Sequence, residues 1–304
     1  MRVVFMGTPE FAVPSLRALA GRHDVTCVVT RPDAVRGRGR KLVPSPVKAV
    51  ALELGLPVLE TVRVDDEVVA RVAHERPDVV CVAAYGALLP DDLLSVAPMG
   101  CVNVHASLLP HGRGAAPIQR AVLEGDEVAG VSIMRIVHDL DAGPYCRQAS
   151  VAIGEQPCVQ LMGALAELGA EELCLALDAM TSGEATWTDQ DESQVTYAAK
   201  VQKTEMRLDP ADSALANRRR VQASLDAAPA RLSVGGRGVR ALDARLSDVA
   251  AEPAQVIVHK GRVHLGCADG ALELLRVKPD GKREMDAAAW AAGIRGDGIA
   301  WGRA

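Results

Sequence analysis

The sequence predicts an α/β protein: a Rossmann-like, mostly parallel sheet first, then a small OB-like β-barrel. Three observations carry this. Through the first half, apolar runs of strand length alternate with helical stretches, the pattern of βαβ units. Beyond residue 230 the texture changes to short β-rich runs separated by Gly-Gly, Lys-Gly and Asp-Gly turns, as in small antiparallel barrels. The chain has 304 residues, 49% of them apolar, enough for two cores of ordinary size.

The elements follow in order. Residues 2–6 read as a buried strand. Thr8-Pro9-Glu10 then opens a helix to about Ala20, with Thr8 as N-cap and Pro9 at the first helical position. A second strand covers 25–30. A helix covers 46–54, closed by Gly55, and another covers 66–74. Strands follow at 79–84, 100–104 and 130–137, with a helix over 116–124 between the last two. Residues 159–181 form a long helix. The polar stretch 182–203 reads as a linker. The barrel strands fall at 230–234, 238–242, 255–259, 263–267 and 271–277. The domain boundaries drawn from this are 1–188, a linker over 189–205, and 206–304.

Bulk properties exclude several classes. No apolar run approaches the ~20 residues a membrane span needs, and no signal peptide is evident. The seven cysteines (27, 81, 101, 146, 158, 174 and 267) have no CxxC spacing. They read as reduced thiols of a cytoplasmic protein, with no metal site expected. The first turn, Met6 to Ala12, lacks the G-x-G-x-x-G spacing, so NAD is not expected either. Net charge is −5, against indiscriminate nucleic-acid binding, but it is unevenly spread. Residues 204–304 carry 16 Lys and Arg against 13 Asp and Glu, a mild basic excess on an acidic protein.

The most informative stretch is Cys101 to Gln119. Asn103 and His105 lie two apart at the end of an apolar run, so on a strand they share one face, about 7 Å apart. A loop rich in Gly, Pro and Ser follows, from Ser107 to Gly114. A second polar loop, His138 to Pro144, carries Asp141. Consecutive βα loops open at the same sheet edge, so the two loops can meet. An Asp beside a His orients the imidazole. The His and the Asn amide are then two donors that can stabilise an oxyanion as a neutral amine attacks a carbonyl. No protein nucleophile is needed, and Asp141 can take the amine's proton through a water. Ser107 beside His105 suggests a Ser-His hydrolase instead, but no G-x-S-x-G elbow surrounds it. His111, His138 and Asp139 are nearby decoys of the same residue types.

A second feature is the run 31–48. Arg31, Arg36, Arg38, Arg40, Lys41 and Lys48 stand there against Asp33 alone, a net +5. A glycine-bearing basic loop beside such a site suits a polyanion that orders it on binding. Arg218-Arg219-Arg220 is a second candidate contact, and Lys200 and Lys203 in the linker are weaker ones.

Several motifs together resemble the bacterial methionyl-tRNA formyltransferases, a branch of the folate-dependent formyltransferases, over essentially the whole chain. They are Met6-Gly7-Thr8-Pro9-Glu10-Phe11, Gly37-Arg38-Gly39-Arg40-Lys41-Leu42 with Pro44-Ser45-Pro46-Val47-Lys48, Asn103-Val104-His105-Ala106-Ser107-Leu108-Leu109-Pro110, Arg113-Gly114-Ala115-Ala116-Pro117-Ile118-Gln119, Leu140-Asp141-Ala142-Gly143 and Thr196-Tyr197-Ala198-Ala199-Lys200. The resemblance implies formyl transfer from 10-formyltetrahydrofolate to the amino group of methionine on initiator tRNA, for translation initiation. It implies that Asn103, His105 and Asp141 are catalytic. It also implies that Ser107, Leu108, Leu109 and Pro110 line the folate site, and that barrel and linker hold the tRNA. Arg36, Arg38, Arg40, Lys41, Lys200 and Lys203 are the tRNA contacts expected. Two departures stand out: His111-Gly112 where family members usually carry Arg-Trp, and no Trp-Pro around residues 227–231. A sugar-nucleotide formyltransferase is the nearest alternative, and it needs no basic 31–48 loop. A monomer is expected from the standalone two-domain layout.

Overall fold

The N-terminal alternation builds a seven-stranded sheet of order β5-β2-β1-β6-β7-β8-β9. Its strands are β1 (Arg2–Gly7), β2 (Asp24–Thr30), β5 (Val58–Glu60), β6 (Val79–Ala83), β7 (Cys101–His105), β8 (Val128–Arg135) and β9 (Tyr145–Ala152). β3 (Ala34–Val35) and β4 (Leu42–Val43) pair apart from it. The helices of this half are α1 (Val13–Arg22), α2 (Pro46–Glu53), α3 (Asp66–His74), α4 (Asp91–Leu94), α5 (Pro117–Glu124) and α6 (Cys158–Ser182). This computed structural model describes residues 1–35, 42–294 and 298–304. Pairing is parallel from β5 through β7, whereas β8 and β9 run antiparallel.

Both faces of the sheet are covered, which is why its central strands are apolar throughout. Phe5, Val28, Val104 and Ile133 pack with Leu16 and Leu19 of α1 and Leu173 and Leu177 of α6. Val4, Met6, Val29 and Val82 pack on the other face with Val68 and Val72 of α3 and Leu93 of α4. Short aliphatic side chains do the filling that aromatics do elsewhere. The seven cysteines are free thiols, all but Cys146 buried. Burial pushes Cys27 up to about 11 and Cys101 up to about 12, so they behave as small hydrophobes.

Thr8 departs from expectation. Residues Glu10–Ala12 form a 3₁₀ turn and α1 starts only at Val13, with no side-chain cap at its start. The Thr8 hydroxyl instead donates to the Tyr85 carbonyl at 3.4 Å. A tertiary partner has taken the group that local propensity assigns to capping. Ser45 and Asp65 do cap α2 and α3, accepting from Lys48 N and Val68 N.

The chain divides into two compact units: residues 1–117, 128–152 and 162–198 form one, and 118–127, 153–161 and 199–304 the other. The second includes more than the C-terminal barrel. Arg120 of α5 pairs with Glu205 at 2.8 Å, and Gln222 donates to the carbonyls of Gly154 and Gln156. Its elements are α7 (Ala214–Gln222), β10 (Arg231–Val234), β11 (Arg237–Ser247), β12 (Val256–His259), β13 (Arg262–Cys267), β14 (Gly270–Pro279), β15 (Met285–Asp286), α8 (Ala287–Ala291) and β16 (Trp301–Gly302). The strand order is β12-β13-β14-β11-β10-β16. A bridge between Gln255 and Ala300 joins the two ends, so the sheet closes on itself. Register shifts around Asp243 bend the long β11–β14 pair, as a small barrel requires. Leu232, Val239, Val263, Leu272, Val277 and Trp301 fill the interior.

One charge is buried in the barrel wall. Glu273 is 4% exposed and receives Arg262 and Arg245 from the adjacent strands. The hydrogen-bonded Arg262 guanidinium, helped by Arg245, outweighs burial and holds this carboxyl at about 2, below its ordinary 4.5. A depressed folded-state value stabilises the fold above pH 4.5 and loses that stabilisation as pH falls toward 2. Glu273→Gln should therefore destabilise the protein at neutral pH, on the order of 2–3 kcal/mol. Thermal unfolding of variant and wild type should converge as pH is lowered toward 2.

Candidate active site

Strand alternation positions the centre. Val104 lies in the cluster with α6, so Asn103 and His105, its neighbours on β7, point to the opposite face. Asn103 is paired in register with Val82 and Met134, and His105 with Ser132. Asn103 is half-buried and His105 buried. His105 Nε2 lies 3.0 Å from the Gly112 carbonyl. A carbonyl only accepts, so Nε2 carries hydrogen. The other ring nitrogen, Nδ1, faces Asp141 Oδ1 at 3.7 Å.

Asp141 arrives by a different route from the one the sequence suggested. A parallel β8 would release its loop beside the end of β7. β8 runs antiparallel, so the loop begins at Ile136, whose N–H donates to Cys101 O at the start of β7. It must fold back along the sheet to reach His105. Gly143 makes that return possible: a Cβ there would sit 1.9 Å from the Arg135 carbonyl. Asp141 itself has φ +50, a conformation a non-glycine residue keeps only when its surroundings hold it. One of those holds is the Gly114 N–H, which donates to Asp141 Oδ2 at 2.8 Å.

Part of the expected linker is a wall of this site. Gly112 N donates to Thr196 Oγ1 at 2.9 Å, Arg113 N to Thr196 O at 3.0 Å, and Ala198 N to Arg113 O at 2.7 Å. Gly114 fits under this strap only because it lacks a side chain, since a Cβ would meet the Ala198 carbonyl at 2.9 Å. Arg113 is 3% exposed. Its guanidinium donates to Gln190 Oε1 at 2.9 Å and Glu192 Oε1 at 2.7 Å. Gln190 in turn donates to the carbonyls of Asp141 and Gly143, both at 2.7 Å.

The loop after β7 stands on a polar pedestal. The Ser132 hydroxyl donates to Ser107 O at 2.6 Å and accepts from Leu109 N at 3.1 Å. Gln148 of β9 donates to Leu109 O at 2.8 Å and to Ser132 Oγ at 2.9 Å. Leu109 is 2% exposed, so it anchors the loop, while Ser107, Leu108 and Pro110 are half-buried on it. Ser107 Oγ donates to His111 O at 2.6 Å rather than to His105, which removes the Ser-His pair a hydrolase would need. Sequence reasoning missed Ser132, Gln148 and Gln190. Ser132 had a signal, a lone hydroxyl inside the apolar run Val131-Ser132-Ile133; the other two had none. His111 is exposed, and His138 is exposed and pairs with Asp91 at 3.1 Å. That hydrogen bond raises the His138 imidazole above its ordinary range.

The basic residues separate into spent and free charges. Arg36, Arg38, Arg40 and Lys41 lie outside the described residues. Arg31 donates to the carbonyls of Val62 and Gly86, and Lys48 bridges Asp33 and Glu60 at 2.6 and 2.9 Å. Arg218 pairs with Glu155, Arg219 donates to Glu124 O, and Arg220 pairs with Asp212. The triplet, a candidate contact in the sequence, is thus tied into its own unit. Lys200 and Lys203 are exposed. Lys203 lines a cleft of about 530 Å³ with Arg207, Arg231 and Arg303.

Residues 1–177 match the formyl transferase family, and residues 200–295 its C-terminal domain. A methionyl-tRNA formyltransferase of Methylococcus capsulatus is 47% identical, covering 94% of this chain and 95% of that protein. One of Methylobacillus flagellatus is 42% identical, covering 96% of each. The chain belongs to the methionyl-tRNA formyltransferase family, and it is a formyl-transferring enzyme. Among solved structures, HypX from Aquifex aeolicus in complex with tetrahydrofolic acid superposes with a TM-score of 0.66 at 18% identity, a likeness of fold. It covers 95% of this chain and 46% of that one, so this chain spans about half its length.

Ser132→Ala tests the pedestal. It leaves Leu109 N without its partner in a buried place, which should cost about 1–3 kcal/mol. Denaturant unfolding measures the loss, and hydrogen exchange at the Leu109 amide should accelerate with it.

Proposed function

We propose that this protein transfers the formyl group of 10-formyltetrahydrofolate to the α-amino group of methionine on initiator tRNA. The observation that carries the reading is the convergence of His105 and Asp141 beside Asn103, on one face of β7, under a loop held from below. The formyl oxygen gains negative charge as the neutral amine adds to the carbon. Asn103 Nδ2 and His105 offer hydrogens to that oxygen, a preorganised arrangement typically worth ~3 kcal/mol for one donor. The Nε2 hydrogen of His105 is held by Gly112 O, so a substrate oxygen entering here shares it. Asp141 orients the imidazole through Nδ1 and takes up the amine proton, directly or through a water; as the adduct collapses the bond from the carbon to folate N10 breaks, N10 receives a proton and tetrahydrofolate leaves. No residue of the chain becomes acylated.

The cosubstrate fits the loop of Ser107, Leu108, Leu109 and Pro110. Its backbone is fixed by Ser132 and Gln148, leaving half-buried apolar and backbone surface for a flat, polar-edged ring. Folate supplies the activated one-carbon group; the protein positions it. For the tRNA we assign the basic loop Arg36, Arg38, Arg40 and Lys41, with Lys200 and Lys203. Residues 1–188 serve as the catalytic part, 189–205 as the connection and 206–304 as the tRNA-binding part. The protein acts as a cytoplasmic monomer. Among the described residues no helix is long and apolar enough to cross a membrane.

His105→Ala should lower kcat by about 10²–10³-fold, with tRNA affinity within twofold of wild type in a filter-binding assay. Parallel loss of both would remove His105 from the chemistry. Replacing Arg38, Arg40 and Lys41 together by Ala should reduce the slope of log affinity against log salt by about 2–3. The defining assay offers the enzyme charged initiator tRNA and, separately, a nucleotide-linked aminosugar: formylation of the sugar alone would overturn the assignment.

A further inference from the structure

The strap crossing the active site carries a side chain, Gln190, bonded at both ends of its amide to the Asp141 loop and its support. The amide nitrogen of Gln190 gives its two hydrogens to the carbonyls of Asp141 and Gly143, and its oxygen accepts from Arg113 Nε. Donors lie on one side and acceptors on the other, so only one orientation of the amide satisfies the network. Arg113 is a rigid abutment, because it is buried and its backbone is bonded on both sides to Thr196 and Ala198. The next residue, Gly114, holds the Asp141 carboxylate. Asp141 is therefore gripped twice, at its side chain by Gly114 and at its main chain by Gln190.

We infer that Gln190 is a positioning residue for formyl transfer: it holds the folded-back Asp141 loop so that the carboxylate stays against His105. This rests on the reading of Asp141 and His105 as catalytic. Two facts give the grip consequence. Asp141 sits at φ +50, where an unheld residue relaxes toward the ordinary regions. Its carboxylate stands 3.7 Å from His105, so a further displacement of about 1 Å removes most of the coupling. Glu192, the other side-chain partner of Arg113, is 71% exposed and makes no bond to the Asp141 loop. It supplies the control.

The test is a double-mutant cycle in the full-length protein. Gln190→Met, of similar size and without polar ends, should lower kcat about 10–100-fold while the KM values for formyl-folate and for tRNA stay within about twofold. Gln190→Glu keeps an acceptor for Arg113 and loses the two donors, and should show the same loss. Glu192→Ala should keep kcat within about twofold. In an Asp141→Ala background, Gln190→Met should change kcat by less than about twofold, because its action passes through Asp141. Additive losses in the double variant, a KM rise equal to the fall in kcat/KM, or full activity of Gln190→Glu would each overturn the inference. Should Gln190→Met fail to fold, the Gln190→Glu cycle makes the same comparison. If Asp141→Ala keeps wild-type kcat, the reading of Asp141 as catalytic fails. If it loses activity while Gln190→Met does not, only the role given to Gln190 fails.

Discussion

A loop that leaves the sheet at one end and must deliver a carboxylate toward the other has to be held there, and the anchoring of Asp141 is the constraint on which the site depends. The reversal of strand direction between β7 and β8 creates the difficulty. The loop has no ladder hydrogen bonds for most of its return, and Asp141 adopts a left-handed backbone. The loop's local bonds, Ala142 N–H to Asp139 O and Arg135 N–H to Pro144 O, are joined by two from outside its own supersecondary unit: the Gly114 N–H from the loop after β7 and the Gln190 amide from the strap. Each exchanges a water contact for a protein contact and is worth only about 1 kcal/mol net. Several such bonds converging on one short segment suffice to fix a single conformation, and that is what a reaction sensitive to ångström displacements needs.

The loop after β7 is held by another logic. Its support comes from beneath, through Ser132, a hydroxyl that both donates and accepts, and Gln148, which ties Ser132 to Leu109. A buried hydroxyl in the middle of a sheet costs free energy unless all its capacity is used. Here it is used on both sides. The pedestal holds the loop after β7 from the sheet, and the strap binds both loops, this one at Gly112 and Arg113 and the Asp141 loop through Gln190. His105 lies between them, bonded to the first through Gly112 and facing the second through Asp141.

How far the sequence carried depended on whether the relevant force was local. Strand and helix placement follow from apolar periodicity, and α3 occupies the very residues 66–74 that the pattern indicated. The pair Asn103 and His105 was legible because a period of two is dictated by the pleat. Thr8 was misjudged because a cap and a tertiary hydrogen bond compete for one hydroxyl, and only the fold decides between them. The direction of β8 left no mark in its own residues, since a buried strand reads alike in either orientation. Gln190 sits in a polar stretch whose composition says linker. Its partners lie 77, 49 and 47 positions away in sequence, beyond anything spacing can encode.

Charge was the property most easily misread, and the reason is general. A count over residues 204–304 gives a basic excess, yet many of those cations are already spent within the protein. Arg220 meets Asp212, Arg240 meets Asp226, and Arg245 and Arg262 share Glu273. In the first unit, Lys48 meets Asp33 and Glu60 in the same way. An internally paired arginine presents little net field to a polyanion, because its neighbour cancels it within a Debye length. What attracts nucleic acid is the residue of charge left after such pairing. Exposed Lys200 and Lys203 belong to that residue. Arg218 and Arg220, in the densest cationic run in the sequence, do not, because each meets a carboxylate inside its own unit, whereas Arg219 between them donates to the neutral Glu124 carbonyl and keeps its charge.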